Sequence, residues 1–400
     1  MEFYLALVWA GVIGTAVALY VILDGFDLGV GILFPFAHSE AERDRMMASV
    51  KPFWDGNETW LVMGGAGLFV AFPLAYSIFM PAFYIPIIVM LLALVFRGVA
   101  FEFRGLAGTK FKWSFAFTGG SLVAGLCQGF ILGGLIQGVK VENGAFAGGP
   151  FDWATLFSLL CSLGVATGYT LLGATWLVLK TDGDFARRAR KQARMLLIAV
   201  MAFMAVVSLW TPFVNMHIAE RWFSLPNILF LWPVPLVTAL VAFAGWYGLN
   251  HERHDAMPFV SAIGLFLLGY LGLVISWFPY LVPPSVTIWD AATNARCAYS
   301  IWRAQGYNAW YGYRSHRSEC NATRAPASSG GGGTGPTQDP DEVVGAGGCW
   351  SGTLQESVDA GTCVQSKFDR TWFQCQNGNW FRGVNGASGP YGACTSQHPL

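Results

Sequence analysis

Eight long apolar stretches fill the first 290 residues, and they restrict the fold of this chain more than any other feature. They lie near 4–35, 55–76, 80–101, 113–137, 154–179, 193–215, 226–249 and 257–283. Each is rich in Leu, Val, Phe and Ala and long enough for an α-helix to cross a bilayer, which takes roughly 20 residues. Gly and Pro recur inside several of them. Such breakers persist in membrane helices because neighbouring helices satisfy the backbone groups they free. Of the 400 residues 54% are hydrophobic and 12% charged, well below the roughly 25% charge of a soluble domain. Lys+Arg 24 balance Asp+Glu 24, so nothing points to nucleic acid as a partner. The expected fold is an all-α polytopic membrane protein with eight predicted transmembrane helices and a Cys-rich C-terminal tail. The first stretch has no basic n-region or cleavage site and reads as a retained helix.

Basic residues set an expected orientation, since cytoplasmic loops carry an excess of Lys and Arg. With the N-terminus outside, the inner loops hold thirteen, six of them between Lys180 and Arg194, and the outer loops only Lys140 and Arg221. Eight crossings then return the chain to the outer, periplasmic side of a bacterial inner membrane. Six of the eight cysteines, Cys297, Cys320, Cys349, Cys363, Cys375 and Cys394, follow residue 290. That side permits disulfides, so two independent readings agree.

Three regions are expected: a membrane domain over 1–290, a polar linker over 291–345 and a small module over 346–400. The linker contains Ser328-Ser329-Gly330-Gly331-Gly332-Gly333, which reads as coil. Four cysteines in the last region suggest two disulfides, with three pairings open. A natural fusion and an out-of-frame reading beyond residue 290 both account for so abrupt a change.

Ionisable groups inside membrane helices are costly and mark functional positions. The first stretch contains Asp24-Gly25-Phe26-Asp27, and the second opens with Trp54-Asp55-Gly56-Asn57-Glu58-Thr59-Trp60. A spacing of three places each acidic pair on one helical face. Arg97, Glu102 and Arg104 cluster at the end of the third. The alternating direction of the helices brings Asp24, Asp27, Asp55, Glu58, Arg97 and Glu102 to one level, in the cytoplasmic half. Crowded, poorly hydrated carboxylates suit proton uptake and relay. A structural ion-pair network joining three helices is the competing reading.

None of the six histidines, His38, His217, His251, His254, His316 and His398, falls at mid-membrane depth, where a haem takes an axial histidine. Methionines in the stretches read as packing. No metal site is expected, and this chain is not expected to hold a haem by itself. Gly64-Gly65-Ala66-Gly67 reads as close helix packing and not as a phosphate loop.

Asp24-Gly25-Phe26-Asp27-Leu28-Gly29, Trp54-Asp55-Gly56-Asn57-Glu58-Thr59-Trp60, Phe96-Arg97-Gly98-Val99-Ala100-Phe101-Glu102-Phe103-Arg104 and Phe278-Pro279-Tyr280-Leu281-Val282-Pro283-Pro284-Ser285 resemble motifs of subunit II of the cytochrome bd-type quinol oxidases, in the same order. The resemblance covers about residues 1–290, and its details resemble the cyanide-insensitive branch. It implies a haem-free subunit of a respiratory enzyme that oxidises quinol and reduces dioxygen to water. It places haem b and haem d in a partner, subunit I. Quinol or quinone, membrane lipid and a small accessory subunit are the other implied partners. Asp24, Asp27 and Asp55 fall on positions the family associates with proton conduction or assembly, with Glu58 beside them and Trp54, Asn57, Arg97 and Glu102 in support. The chain departs from the family after Asp290, where a ninth helix would follow. A proton-coupled secondary transporter is the alternative, since it too would show broken helices and buried carboxylates.

Overall fold

The computed structural model of the chain describes residues 2–225 and 227–292 and, within 349–399, the strands of the C-terminal region with a few flanking residues. The polar linker, Cys297, Cys320, His316 and the position of the expected ninth helix lie outside the described residues. The chain forms two compact units, Met1–Pro326 and Ala327–Leu400.

The first unit is a helical bundle. Its helices are α1 (Glu2–Leu33), α2 (Glu40–Val50), α3 (Trp54–Ala71), α4 (Pro73–Ala82), α5 (Tyr84–Leu106) and α6 (Phe111–Gln137), then α7 (Leu156–Lys180), α8 (Gly183–Val214), α9 (Met216–Phe223), α10 (Asn227–Leu231), α11 (Pro233–Asn250) and α12 (Ala256–Trp277). Each of the eight apolar stretches contains a helix of at least 18 residues, although the second is divided between α3 and α4 and the seventh between α10 and α11. Seven of these, among the described residues, are apolar and long enough to cross a membrane. The eighth, α3, has 18 residues but opens on Asp55, Asn57 and Glu58, and that polar first turn lowers its hydropathy. The helix ends at Ala71, and within the same stretch Pro73 starts α4, at the first helical position that proline favours.

Helix α7 is the centre of the bundle, packed against α1, α6, α8 and α12. Two facing glycines permit that position. Gly29 on α1 and Gly173 on α7 face each other so closely that a Cβ on Gly29 would overlap the Tyr169 carbonyl oxygen, and one on Gly173 would overlap the Gly29 backbone. Small residues of this kind let membrane helices approach backbone to backbone. The main core runs along this contact, with Leu28, Val30, Phe117, Leu171, Leu172 and Ala174 among its fully buried members. The outward faces are apolar too: Leu91, Leu92, Val95 and Phe96 of α5, and Leu209 and Phe213 of α8, are exposed. Lipid or a partner subunit covers such faces in a membrane protein.

The two ends of the bundle differ. At one end α2 is fixed by a reciprocal cap: Ser39 Oγ accepts from the Glu42 amide at 3.2 Å, and Glu42 Oε2 accepts from the His38 amide at 2.9 Å. Most of the ion pairs lie at this end. At the other end two short hairpins, β1 (Val141–Glu142) with β2 (Ala145–Phe146) and β3 (Tyr280–Val282) with β4 (Val286–Thr287), close a second core around Phe72, Ala75, Ile78 and Val282. Asp290 Oδ2 accepts from the Thr287 amide and hydroxyl at 3.1 and 2.8 Å. The 278–285 motif is therefore a structural closure of the bundle.

The regular elements among the described residues of the second unit are all β-strands. A sheet of order β12-β7-β8-β9 joins Ser396–His398, Thr362–Gln365, Trp372–Gln376 and Asn379–Gly383. Hairpins β5 (Cys349–Ser351) with β6 (Glu356–Val358) and β10 (Ser388–Gly389) with β11 (Gly392–Ala393) complete it. Of the three open pairings, the structure has Cys349–Cys375 and Cys363–Cys394.

Candidate functional site

The acidic motif of α1 turns inward. Asp24 and Asp27 are both 0% exposed, which their spacing of three permits because it sets them on one face. Gly25 between them makes room for α7: a Cβ there would lie 2.8 Å from the Tyr169 ring. Arg97, reaching in from α5, is also fully buried. Its Nη1 donates to Asp24 Oδ1 at 2.7 Å and to Glu58 Oε1 at 2.9 Å, and its Nη2 lies 3.6 Å from Asp27 Oδ2. Asn57 of α3 donates through Nδ2 to Asp27 Oδ2 at 2.7 Å and to the Leu23 carbonyl at 3.1 Å. Three helices that are far apart in sequence thus meet on one guanidinium.

The cluster is unevenly sealed. The side chain of Glu58 is 25% exposed, whereas those of Asp24, Asp27 and Arg97 are at most 1%. Among the described residues, Asp24 Oδ2, Asp27 Oδ1, Arg97 Nε and Arg97 Nη2 have no hydrogen-bond partner. Buried polar atoms of this kind are satisfied by ordered water. Along α5 the cluster is closed by aromatic rings. Arg97 lies over Phe101 at 5.6 Å, Phe101 meets Phe117 edge-on at 5.0 Å, and Trp54 stacks on Phe101 at 5.1 Å. Two turns beyond Arg97 and past these rings stands a second cluster at the bundle end. Arg104 donates to Asp44 Oδ1 at 2.5 Å, Glu40 Oε2 at 2.7 Å and Ser114 Oγ at 3.0 Å, with Phe34 beneath it at 5.0 Å. Hydrogen bonds from Arg104 and then Lys110 hold the Asp44 carboxyl below its ordinary range.

The six charged groups expected at one level separate into three settings. Asp24, Asp27, Glu58 and Arg97 form the buried cluster, with Asn57 bonded into it. Asp55 is exposed on the first turn of α3. Its spacing from Glu58 puts both on one broad side of the helix, but only Glu58 reaches Arg97. Glu102 is also exposed and pairs with Lys51 at 3.3 Å, because residue 102 points away from the α5 face that carries Arg97 and Arg104. Trp54 packs over Gly98, where a Cβ would meet its ring at 3.2 Å. Sequence reasoning missed the polar groups nearest the cluster, namely Tyr20, Gln128 and Tyr169. Tyr20 stands one turn before Asp24, and Gln128 interrupts an otherwise apolar stretch; those were the available signals. Of the described histidines in this unit, His38, His217, His251 and His254 are all exposed and lie outside the eight long helices. No group of three or more His, Cys, Asp or Glu side chains suited to a metal ion occurs among the described residues.

A family model described as cytochrome bd terminal oxidase subunit II matches residues 5–301. The chain is 27% identical over 329 residues to the cytochrome bd-I ubiquinol oxidase subunit 2 of Escherichia coli strain K12, an alignment covering 72% of this chain and 86% of that one. It is 36% identical over 194 residues to the cytochrome bd ubiquinol oxidase subunit 2 of Bacillus subtilis strain 168, covering 46% and 57% of the two chains. A chain of the bd oxidase structure from Geobacillus thermodenitrificans superposes with a TM-score of 0.56 at 19% identity, covering 77% of this chain and 97% of that one. At that identity the likeness concerns the fold.

Proposed function

The chain belongs to the cytochrome bd terminal oxidase subunit II family, and from that premise we propose that it supports a haem-bearing subunit I in a bacterial inner membrane and delivers protons to it for the reduction of dioxygen by quinol. One observation carries this reading: Arg97 joins two fully buried carboxylates, Asp24 and Asp27, to the partly exposed Glu58. Haem b and haem d, held by subunit I, supply the oxygen chemistry. The residues of this chain receive, hold and pass on protons.

Glu58 is the mouth of the route. It is the one member of the cluster with exposed surface, and exposed Asp55 stands one turn away. The aromatic rings around Phe101 separate the cluster from Arg104 and Asp44, so entry along α5 is closed and entry past α3 is open. Three carboxylates facing one guanidinium leave excess negative charge away from water, and a bound proton relieves it. Water at the unpartnered oxygens of Asp24 and Asp27 would connect the two. The thirteen inner-loop cations of the positive-inside pattern lie toward this end of the helices, so the mouth faces the cytoplasm, the N-terminus faces outward and the C-terminal unit is periplasmic.

The test is turnover of the reconstituted oxidase. Asp24→Asn and Glu58→Gln are expected to slow quinol-dependent oxygen uptake about tenfold or more, in the range of lost proton-transfer groups, with haem spectrum and subunit ratio retained. Undiminished turnover in both variants would reduce the cluster to an ion-pair network that holds helices together.

A further inference from the structure

Helix α8 opens with a run of cations, Arg187, Arg188, Arg190, Lys191 and Arg194, whose side chains the proton reading does not use. The first three are neutralised by carboxylates of this chain. Arg187 pairs with Asp184, Arg188 with Glu42 and Arg190 with Asp255. The last two differ. Among the described residues neither Lys191 nor Arg194 makes an ion pair, and Arg194 Nε is sealed from water without a hydrogen-bond partner. Both stand at the deep end of the run, where the apolar part of α8 begins.

Helical spacing places the two at the head of one outward stripe. Lys191, Met195 and Ile198 follow each other at four and three residues and are all exposed. Ala202 and Val206 continue the line, exposed as well. Arg194 is half-buried at the edge of the stripe, on the side of α11. The residues one turn before and after it on that edge meet α11: Arg190 Nη1 donates to the Gly248 carbonyl at 3.0 Å, and a Cβ on Gly245 would lie 3.8 Å from the Leu197 side chain. From Met195 to Val206 the stripe covers about 16 Å of helix, close to half of a hydrocarbon core of roughly 30 Å.

We propose that Lys191 and Arg194 hold the headgroup phosphate of an anionic phospholipid, whose acyl chains lie along the α8 stripe below them. This goes beyond the proton-delivery reading and does not depend on it. A cation that only reaches up to water keeps its donors hydrated. Arg194 instead has an N–H turned away from water, and such a donor requires an acceptor. No described side chain reaches it, and Asp255 close by already pairs with Arg190. A phosphate supplies acceptor oxygens that match the guanidinium fork, and Lys191 adds a second charge beside it. A soluble anion would satisfy the charges and leave the stripe uncovered. A zwitterionic lipid would cover the stripe and bring its own positive group against two cations. An anionic phospholipid meets both demands, in the way that basic side chains at helix ends recognise such headgroups.

Native mass spectrometry of the detergent-purified complex with subunit I, titrated with dioleoyl phosphatidylglycerol or dioleoyl phosphatidylcholine, counts the lipids retained. The wild-type complex is expected to keep phosphatidylglycerol at concentrations where phosphatidylcholine is lost. Lys191→Gln with Arg194→Gln is expected to weaken that retention about tenfold, as two lost headgroup contacts imply. Arg187→Gln with Arg253→Gln removes the same charge from the same end of the bundle and is expected to leave retention unchanged. Undiminished retention in the Lys191 and Arg194 double variant would overturn the proposal. So would an equal loss in both double variants, which means diffuse attraction, or displacement of the lipid by inorganic phosphate, which means a soluble-anion site. If the Lys191 and Arg194 double variant does not assemble, Lys191→Glu, at an exposed position, makes the same comparison. Loss of subunit I from that variant as well would mean that a protein contact occupies the face, and would overturn the proposal too.

Discussion

At the residue scale, Arg97 is the side chain on which the cluster depends. Replacing one partner of a buried ion pair leaves the others charged and unpaired, which costs about 3–5 kcal/mol. Arg97→Met is therefore expected to lower the thermal unfolding temperature of the complex sharply and to reduce its yield. Wild-type melting in that variant would mean that the carboxylates are satisfied by other groups. Glu58→Gln should melt close to wild type, because its side chain is partly exposed; the two variants thus separate the holding role of the cluster from its proton role. How Asp24 and Asp27 pair off was partly legible in the sequence, since a spacing of three in an apolar helix puts both on one face. The different fates of Asp55 and Glu58 were not legible. They share the same spacing, and only the position of α5 against α3 decides that residue 58 meets Arg97 while residue 55 stays at the surface.

At the scale of elements, the short α2 is held to the end of α5 by Arg104, with Glu40, Asp44 and Lys110 around it. The Asp44 carboxyl sits below its ordinary range because Arg104, and after it Lys110, donate hydrogen bonds to the ionised form. A depressed carboxylate stabilises the folded state at pH above the unfolded value, and the contribution fades as pH falls through the lower folded value. Asp44→Asn should therefore be less stable than wild type at neutral pH, with the difference closing below about pH 4. The side chain is about half exposed, so solvent screening limits the effect to less than about 1 kcal/mol. Thermal unfolding of both proteins across pH 3–8 checks it, and a gap that widened in acid would have the wrong sign. The helices themselves were readable from their apolar lengths. The split of the second stretch into α3 and α4 had a visible cause in Pro73, whereas the central place of α7 had none, because close packing of Gly29 against Gly173 is a relation between distant positions.

At the scale of the whole molecule, two units of different chemistry share one chain. The membrane unit buries apolar side chains between helices and leaves its outer faces apolar. The C-terminal unit is small and held by Cys349–Cys375 and Cys363–Cys394. Removing one disulfide from a small exported domain costs about 2–5 kcal/mol. Cys363→Ser with Cys394→Ser should thus make the C-terminal unit protease-sensitive while the helical unit stays resistant and quinol-dependent oxygen uptake persists. Loss of uptake in that double variant would show that the second unit is needed for assembly. The sequence by itself determined that the first 290 residues form a bundle of long apolar helices, the sharp change of character past residue 290 and the presence of charge where lipid would otherwise demand apolar groups, because hydropathy and helical spacing are local properties. Which disulfide pairing forms, which carboxylates share Arg97, and that Gln128 bridges two tyrosines from different helices were decided only in the tertiary structure. Each depends on contacts between residues tens of positions apart, and no local pattern encodes those.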